Sequence, residues 1–232
     1  MIRSYYILLV IISFLALETL NAQKECNQNY QNLPLTGDLY EHYYKQYQGT
    51  PHLEDKSFKG KVKLVSGDVY SDLELNYDIY LDELVYFNPK LQKVIKLDKN
   101  SIDEFWLESE ETGGGYHVVN FHETDSSKVS SGFLFLLLND TISLVSKKIK
   151  KITSDNNSTN SSAIIGSFYQ KETWYYILNN HYIAVPKSAR HLYKQFPAIK
   201  KELRTFIKTN HYSLKKEFQI VAVFKEVNKH YK

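Results

Sequence analysis

Asp72 and Glu74 stand two residues apart in the stretch Val69 to Tyr80, VYSDLELNYDIY. Side chains two apart on an extended chain share a face, so the pair has the layout of a general acid and a partner carboxylate for glycoside cleavage. A solvated strand face places two acids in the same way with no chemistry attached, and is the simpler reading. Asp38 and His42 would share one face of a helix as a small acid–base pair or a local hydrogen bond. His117 and His122 are an odd number of positions apart, so a single strand points them to opposite faces and they cannot jointly hold a metal. Gly113-Gly114-Gly115 lacks the Gly-Lys-Ser/Thr of a phosphate loop and the spacing of a dinucleotide fold. Gly166-Ser167 lacks the second glycine of a nucleophile elbow. Cys26 is the single cysteine, so no internal disulfide can form. These residues lead to no catalytic, metal or cofactor assignment, and Asp72 with Glu74 is carried as the hydrolase alternative.

The elements that would position such groups follow from periodicity. In Val69 to Tyr80 the odd positions Val69, Leu73, Leu75, Tyr77 and Ile79 are apolar and the even ones polar or amphipathic. Period two means a strand with one wet face, and a wet face argues for antiparallel pairing. Ser66-Gly67-Asp68 supplies turn residues, so the strand Lys59 to Val65 should form a hairpin with it. Further strands are expected at Leu84–Phe87, Leu91–Leu97, Ile102–Leu107, Tyr116–Phe121, Val129–Leu138, Thr141–Ile149, Ala163–Gln170, Thr173–Leu178 and Tyr182–Val185. Asp38 to Gln48 is expected to be a short helix with Leu39, Tyr43 and Tyr47 on one side. After Val185 the period becomes helical. A short helix spans Ser188 to Phe196, Pro197 opens a second with Ile199, Leu203, Phe206 and Ile207 inward, and Ser213 caps a third with Leu214, Phe218, Val221, Phe224, Val227 and Tyr231 inward. The fold class expected is α+β, mainly antiparallel β as a meander barrel or sandwich, with two to three C-terminal helices. Nineteen tyrosines and twelve phenylalanines suit such strands, which favour aromatic side chains.

The first residues read as an export signal. Arg3 is a short basic region, Tyr5 to Leu17 an apolar run, and Leu20-Asn21-Ala22 ends in a small residue before Gln23. The expected organisation is 1–22 signal peptide, 23–57 N-terminal tail with the short helix, 58–186 antiparallel β domain, and 187–232 basic helices packed on it. Thr153 to Ser162, TSDNNSTNSS, reads as a polar loop between strands, with Asn156, Asn157 and Asn160 in N-x-S/T triplets. The ending Asn21-Ala22-Gln23, Gly49-Thr50-Pro51, Phe58-Lys59-Gly60 and Tyr77-Asp78-Ile79-Tyr80 resemble a group of uncharacterised exported proteins of the Bacteroidota. That resemblance implies an envelope location, periplasmic or extracellular, and no activity.

Charge is segregated along the chain. From Lys187 onward twelve Lys and Arg face three Glu, a balance of +9 within a total of +3, which leaves −6 for the remainder. Lys200, Lys201, Arg204 and Lys208 form the polar side of the second helix and are the candidate interaction surface. They either lie against the acidic sheet or are merely a solvated face, or they meet an envelope protein, an anionic glycan or a lipid surface, since clustered positive charge favours anions. Nucleic acid is not an expected partner of an exported chain with no recognisable binding motif, and no transmembrane span is expected after signal cleavage. The leading functional expectation is a non-enzymatic exported binding module. An envelope hydrolase acting on carbohydrate or peptide, or a small-molecule carrier with its ligand inside a barrel, are the alternatives.

Overall fold

The computed structural model describes residues 35, 37–42, 44, 47–109, 114–121, 131–154 and 166–231. The signal peptide, Cys26, His122, Gly113, the three sequon asparagines and most of the 153–162 loop lie outside these residues. The period-two segments pair as twelve strands: β1 Gly37–Leu39, β2 Tyr47–Gln48, β3 Phe58–Leu64, β4 Val69–Asp78, β5 Glu83–Asn88, β6 Lys93–Leu97, β7 Ile102–Glu108, β8 Gly115–Phe121, β9 Gly132–Leu138, β10 Ser143–Ser154, β11 Gly166–Leu178 and β12 His181–Ala184. Three helices follow: α1 Ala189–Gln195, α2 Lys200–Thr209 and α3 Glu217–Asn228. The sheet order is β1-β6-β5-β4-β3-β7-β8-β9-β10-β11-β12, antiparallel throughout, with β2 added parallel to β11. This is the mainly antiparallel β architecture with C-terminal helices that the pattern predicts. Among the described residues the path has two ends, so their strands do not close a barrel, nor do they divide into the two sheets of a sandwich. The two strands expected at Ala163–Gln170 and Thr173–Leu178 are one, β11, whose polar middle Gln170-Lys171-Glu172 is carried through by cross-strand pairing with β10.

The sheet curls strongly. Tyr77 on β4 and Phe133 on β9 lie four places apart in the strand order, which in a flat sheet would put them about 19 Å from each other. Their ring centroids are 5.6 Å apart. Tyr77 also meets Phe105 at 5.6 Å and Phe135 at 5.9 Å, so large aromatic side chains fill the concave side. Where the curl brings its margins together, Asp82 in the β4–β5 turn accepts from the Tyr77 hydroxyl, from Lys99 Nζ at 2.5 Å and from Lys147 Nζ at 2.9 Å. Burial alone would raise the Asp82 carboxyl, but Lys147, Lys99 and the Tyr77 hydroxyl together hold it below the usual carboxylate range. Gly132, at φ +126, passes so close that a Cβ there would overlap the Asp82 carboxylate and the Lys147 ammonium.

The central strand departs from simple alternation. Tyr70 pairs with Val62 and Leu73 with Gly60, so Ser71 and Asp72 together face Lys61 in a β-bulge, with Asp72 at φ +56. One extra residue reverses the parity of a strand. Leu73, Leu75 and Tyr77 therefore point inward as expected, whereas Val69, expected inward, is 55% exposed and Tyr70 turns toward the core.

The expected helix over Asp38 to Gln48 is not formed, and in its place the segment contributes β1 at one edge of the sheet and β2 beside β11. Tyr40, His42 and Tyr44, at period two, bring aromatic rings together beside Asp78; Tyr43 of the expected helical stripe lies outside the described residues. Asp78 is fully buried; its Oδ2 accepts from the Tyr40 hydroxyl at 2.6 Å and the Tyr44 hydroxyl at 3.3 Å, and its Oδ1 from the N–H groups of Tyr80 and Leu81, both at 2.9 Å. Tyr44, Tyr80 and Phe168 pack edge to face at 5.4–5.9 Å. Burial and then Asp78 push the Tyr40 and Tyr44 phenols upward, burial and then Asp82 push Tyr77, and burial followed by Glu54 raises Tyr116 to about 12. A tyrosine raised in the fold contributes stability that is complete below the unfolded value near pH ~10 and is lost as pH climbs beyond it. An absorbance titration should show one phenolate set forming near pH ~10 and a second forming only as the chain unfolds, with Tyr40→Phe and Tyr44→Phe reducing the second. Complete ionisation in one step with the fold intact would contradict these assignments.

The helices cover the part of β9 to β11 that carries Ile142, Leu144 and Tyr176, burying Leu192, Phe196, Leu203, Ile207, Val223, Phe224 and Val227. Asn228 ties α3 to the β9–β10 turn: its Nδ2 donates to the Ile142 carbonyl at 2.9 Å and its Oδ1 accepts from the Ile142 N–H at 2.8 Å. The third helix begins later than expected. Ser213 does not cap it; the Ser213 N–H and hydroxyl instead donate to Gln219 Oε1. Leu214 is buried from a loop position at φ +55. The inward stripe of α3 becomes Ile220, Val223, Phe224 and Val227, and Phe218, two residues before Ile220, falls on the opposite side. It is 59% exposed. Among the described residues no helix is long and apolar enough to cross a membrane.

Candidate anion-binding face

The 3₁₀ turn Pro197–Ile199 fixes the start of α2 and buries Ile199, while Leu203 and Ile207 anchor the helix to the sheet. With the apolar side so fixed, Lys200, Arg204 and Lys208 fall at i, i+4 and i+8 on the outer side, with Lys201 beside them, and all four are exposed. Like charges at this spacing cost an isolated helix about 0.2–0.5 kcal/mol per pair. Glu202 is the sole acid of α2. None of the four cations makes a hydrogen bond or ion pair with any described residue. On the sheet, Lys63, Lys96, Lys99, Lys147 and Lys148 each pair with a carboxylate within 3.2 Å, while Lys93, Lys151 and Lys171 stand exposed. The helices meet the sheet through apolar side chains, Asn228 and the Lys148–Glu217 bridge, and the basic stripe of α2 lies on the solvated side instead of against an acidic sheet. Packing of α1 on α2 adds a cleft of about 480 Å³ lined by Arg190, Tyr193, Lys194, Lys200 and Arg204. Two guanidinium groups, two ammonium groups and a phenol around one opening offer bidentate and point-charge donors to a phosphate, sulfate or carboxylate.

The other chemical candidates are placed as follows. Asp72 and Glu74 do border one cleft, of about 510 Å³, together with Phe58, Lys59 and Glu108. They share a face on either side of buried Leu73, as alternation predicts, and both carboxylates are exposed, without the apolar enclosure that an acid catalyst requires. Asp38 and His42 share no helix; Asp38 pairs across from Lys96 on β6, and His42 lies 3.8 Å from Glu83. His117 stacks on Trp106 at 4.6 Å and meets Glu104 at 2.6 Å. Gly115 opens β8 directly after Gly114, and Gly166 with Ser167 opens β11. Among the described residues no group of His, Cys, Asp and Glu has a metal-holding arrangement.

One polar junction escaped sequence reasoning. On adjoining strands Ser146 faces Trp174 and Lys148 faces Glu172. Ser146 Oγ, Glu172 Oε1 and Trp174 Nε1 are buried without a hydrogen bond of ordinary geometry. Lys148 Nζ bridges to Glu217 of α3 at 3.1 Å and lies 4.9 Å from the Phe135 ring centroid. Burial pushes the Glu172 carboxyl up, Lys148 and the nearby Ser146 hydroxyl oppose this, and Glu217 reinforces it. The only sequence signal was a Ser-Lys-Lys run interrupting an apolar strand. No protein-family model, curated protein or solved structure matches the chain.

Proposed function

We propose that this chain is an exported, non-enzymatic binding module of a bacterial envelope that captures an anionic partner through α2 and its cleft. The observation that carries the reading is the stripe Lys200, Lys201, Arg204 and Lys208, four neighbouring exposed cations with no acidic partner among the described residues, whereas Lys63, Lys96, Lys99, Lys147 and Lys148 each meet a carboxylate. A row of like charges that is retained at a small cost in helix stability is explained by an anion outside the chain. The export-signal pattern and the resemblance to exported Bacteroidota proteins support the envelope location. The carrier alternative has less support, because Tyr77, Phe105, Phe133 and Phe135 occupy the concave side where a ligand would sit. The hydrolase alternative rests on Asp72 and Glu74, whose exposure disfavours it.

Changing the four cations to glutamine should weaken binding to a soluble polyanion such as heparin by at least about tenfold at low salt, since every neutralised contact removes a counterion-releasing charge. The same number of changes at Lys90, Lys93, Lys151 and Lys171, exposed on the sheet, should leave binding within about twofold, because the screening length is only ~10 Å. Equal losses for both sets would show that net charge alone governs binding, and the α2 assignment would fail.

A further inference from the structure

We infer that the anionic partner of the helical layer is a phospholipid bilayer surface, on which Phe218 inserts and the surrounding cations engage headgroups; this rests on the anion-binding reading above. Among the described residues seven large apolar side chains are exposed, and Phe218, at 59%, is the one that falls in the +9 segment. The other six, including Val65 at 64% and Leu91 at 59%, belong to the part of the chain with net −6. An anionic surface would repel that part and attract the helices. Phe218 is joined to α2 through aromatic contacts. Phe206 of α2 meets Tyr212 at 5.9 Å and Tyr212 meets Phe218 at 6.3 Å, forming an aromatic ladder from the inner side of α2 out to the surface. Lys216 Nζ stands 5.9 Å from the Phe218 ring centroid, and Lys208, His211 and Lys215 are exposed around the same turn. An exposed ring flanked by lysines, with tyrosine behind it, is the arrangement that places an apolar group below the headgroups and cations at their level. A soluble polyanion would use the cations and leave the ring in water.

The test is a position-specific label on the whole chain. Phe218→Cys in a Cys26→Ser background would carry a polarity-sensitive fluorophore, with Lys90→Cys as the control position. Vesicles of phosphatidylglycerol and phosphatidylcholine should shift the label at 218 to the blue and allow brominated acyl chains to quench it, whereas pure phosphatidylcholine vesicles should not. The label at 90 should not respond. Phe218→Ala should weaken sedimentation with the mixed vesicles by about tenfold, the scale of losing one buried aromatic side chain. Vesicle binding with the label at 218 still in water would overturn the inference while leaving anion binding intact. So would capture by heparin without capture by vesicles. Failure with both probes would overturn the anion-binding reading as well. A blue shift that grows with protein concentration in the absence of vesicles would identify a second copy of the chain as the occupant and overturn the inference.

Discussion

Asp78→Ala is expected to destabilise the chain by roughly 3–5 kcal/mol, because it removes two phenol and two backbone hydrogen bonds from a buried carboxylate and leaves their donors to find other partners. The loss should be local in character. Tyr40 and Tyr44 belong to the segment that runs from β1 to β2, and Asp78 is the group on which both converge. Amide exchange and protease cleavage in residues 37–48 should therefore rise well before any change in α1, α2 or α3, whose core of Tyr176, Phe196 and Phe224 is separate. Tyr40→Phe, which deletes one donor and leaves the carboxylate its other three, should cost about 1–2 kcal/mol. Exchange that rises equally in the helices would show that Asp78 supports the whole fold, not this segment.

Asp82→Asn should lower the thermal midpoint by about 6–12 °C, from roughly 3 kcal/mol lost when one partner of a largely buried charge cluster is removed, at 2–4 °C per kcal/mol. Asparagine is the informative substitution because Asp82 sits at φ +62, a conformation that asparagine also tolerates. The backbone is kept and the charge is not. Lys99 and Lys147 are then two ammonium groups without their shared anion, and burial already holds Lys147 below its usual range. The pH dependence gives the sign. Asp82 is depressed in the fold, so its contribution is present above the unfolded value near pH ~4 and is lost as pH falls through the folded one. The gap between wild type and Asp82→Asn should be widest near neutrality and close in acid. A gap that persists unchanged at pH ~2, well below the unfolded value, would mean that shape, not charge, is what Asp82 supplies.

Much of the architecture was legible where it depends on neighbours in sequence. The β3–β4 hairpin followed from Ser66-Gly67-Asp68 between two alternating runs. The α2 stripe followed from apolar side chains at helical spacing, and with it Lys200, Lys201, Arg204 and Lys208. What escaped depends on partners far along the chain. The curl is held by Asp82 with Lys147, and the first segment by Tyr40 with Asp78. Periodicity carries no sign of either contact. The bulge at Ser71 and Asp72 escaped because an inserted residue leaves the composition of a strand unchanged while reversing the faces before it. Phe218 was misplaced because the loop, not the helix, buries Leu214, and this shifts the start of α3 and the phase of its stripe. The cleft needed α1: Arg190, Tyr193 and Lys194 join the site through packing of one short helix on another, and no spacing within either helix announces it.

The segment from Gly37 to Gln48 has a consequence in time. Its β1 pairs with β6 and its β2 with β11, through partners such as Asp38 with Lys96 and Tyr47 with Gly166 that lie far apart in the sequence. Contacts so distant in sequence form slowly, because the intervening chain must be ordered first. The earliest strand-forming residues described here are thus obliged to wait for Gly166 and Ser167 before both their docking sites exist. The segment closes the fold in the way a final clasp does, and until it closes, its tyrosines and the carboxylate that receives them remain in water. In a chain made from its N-terminus, that order of events delays commitment to the native state until nearly all of the sheet has been delivered.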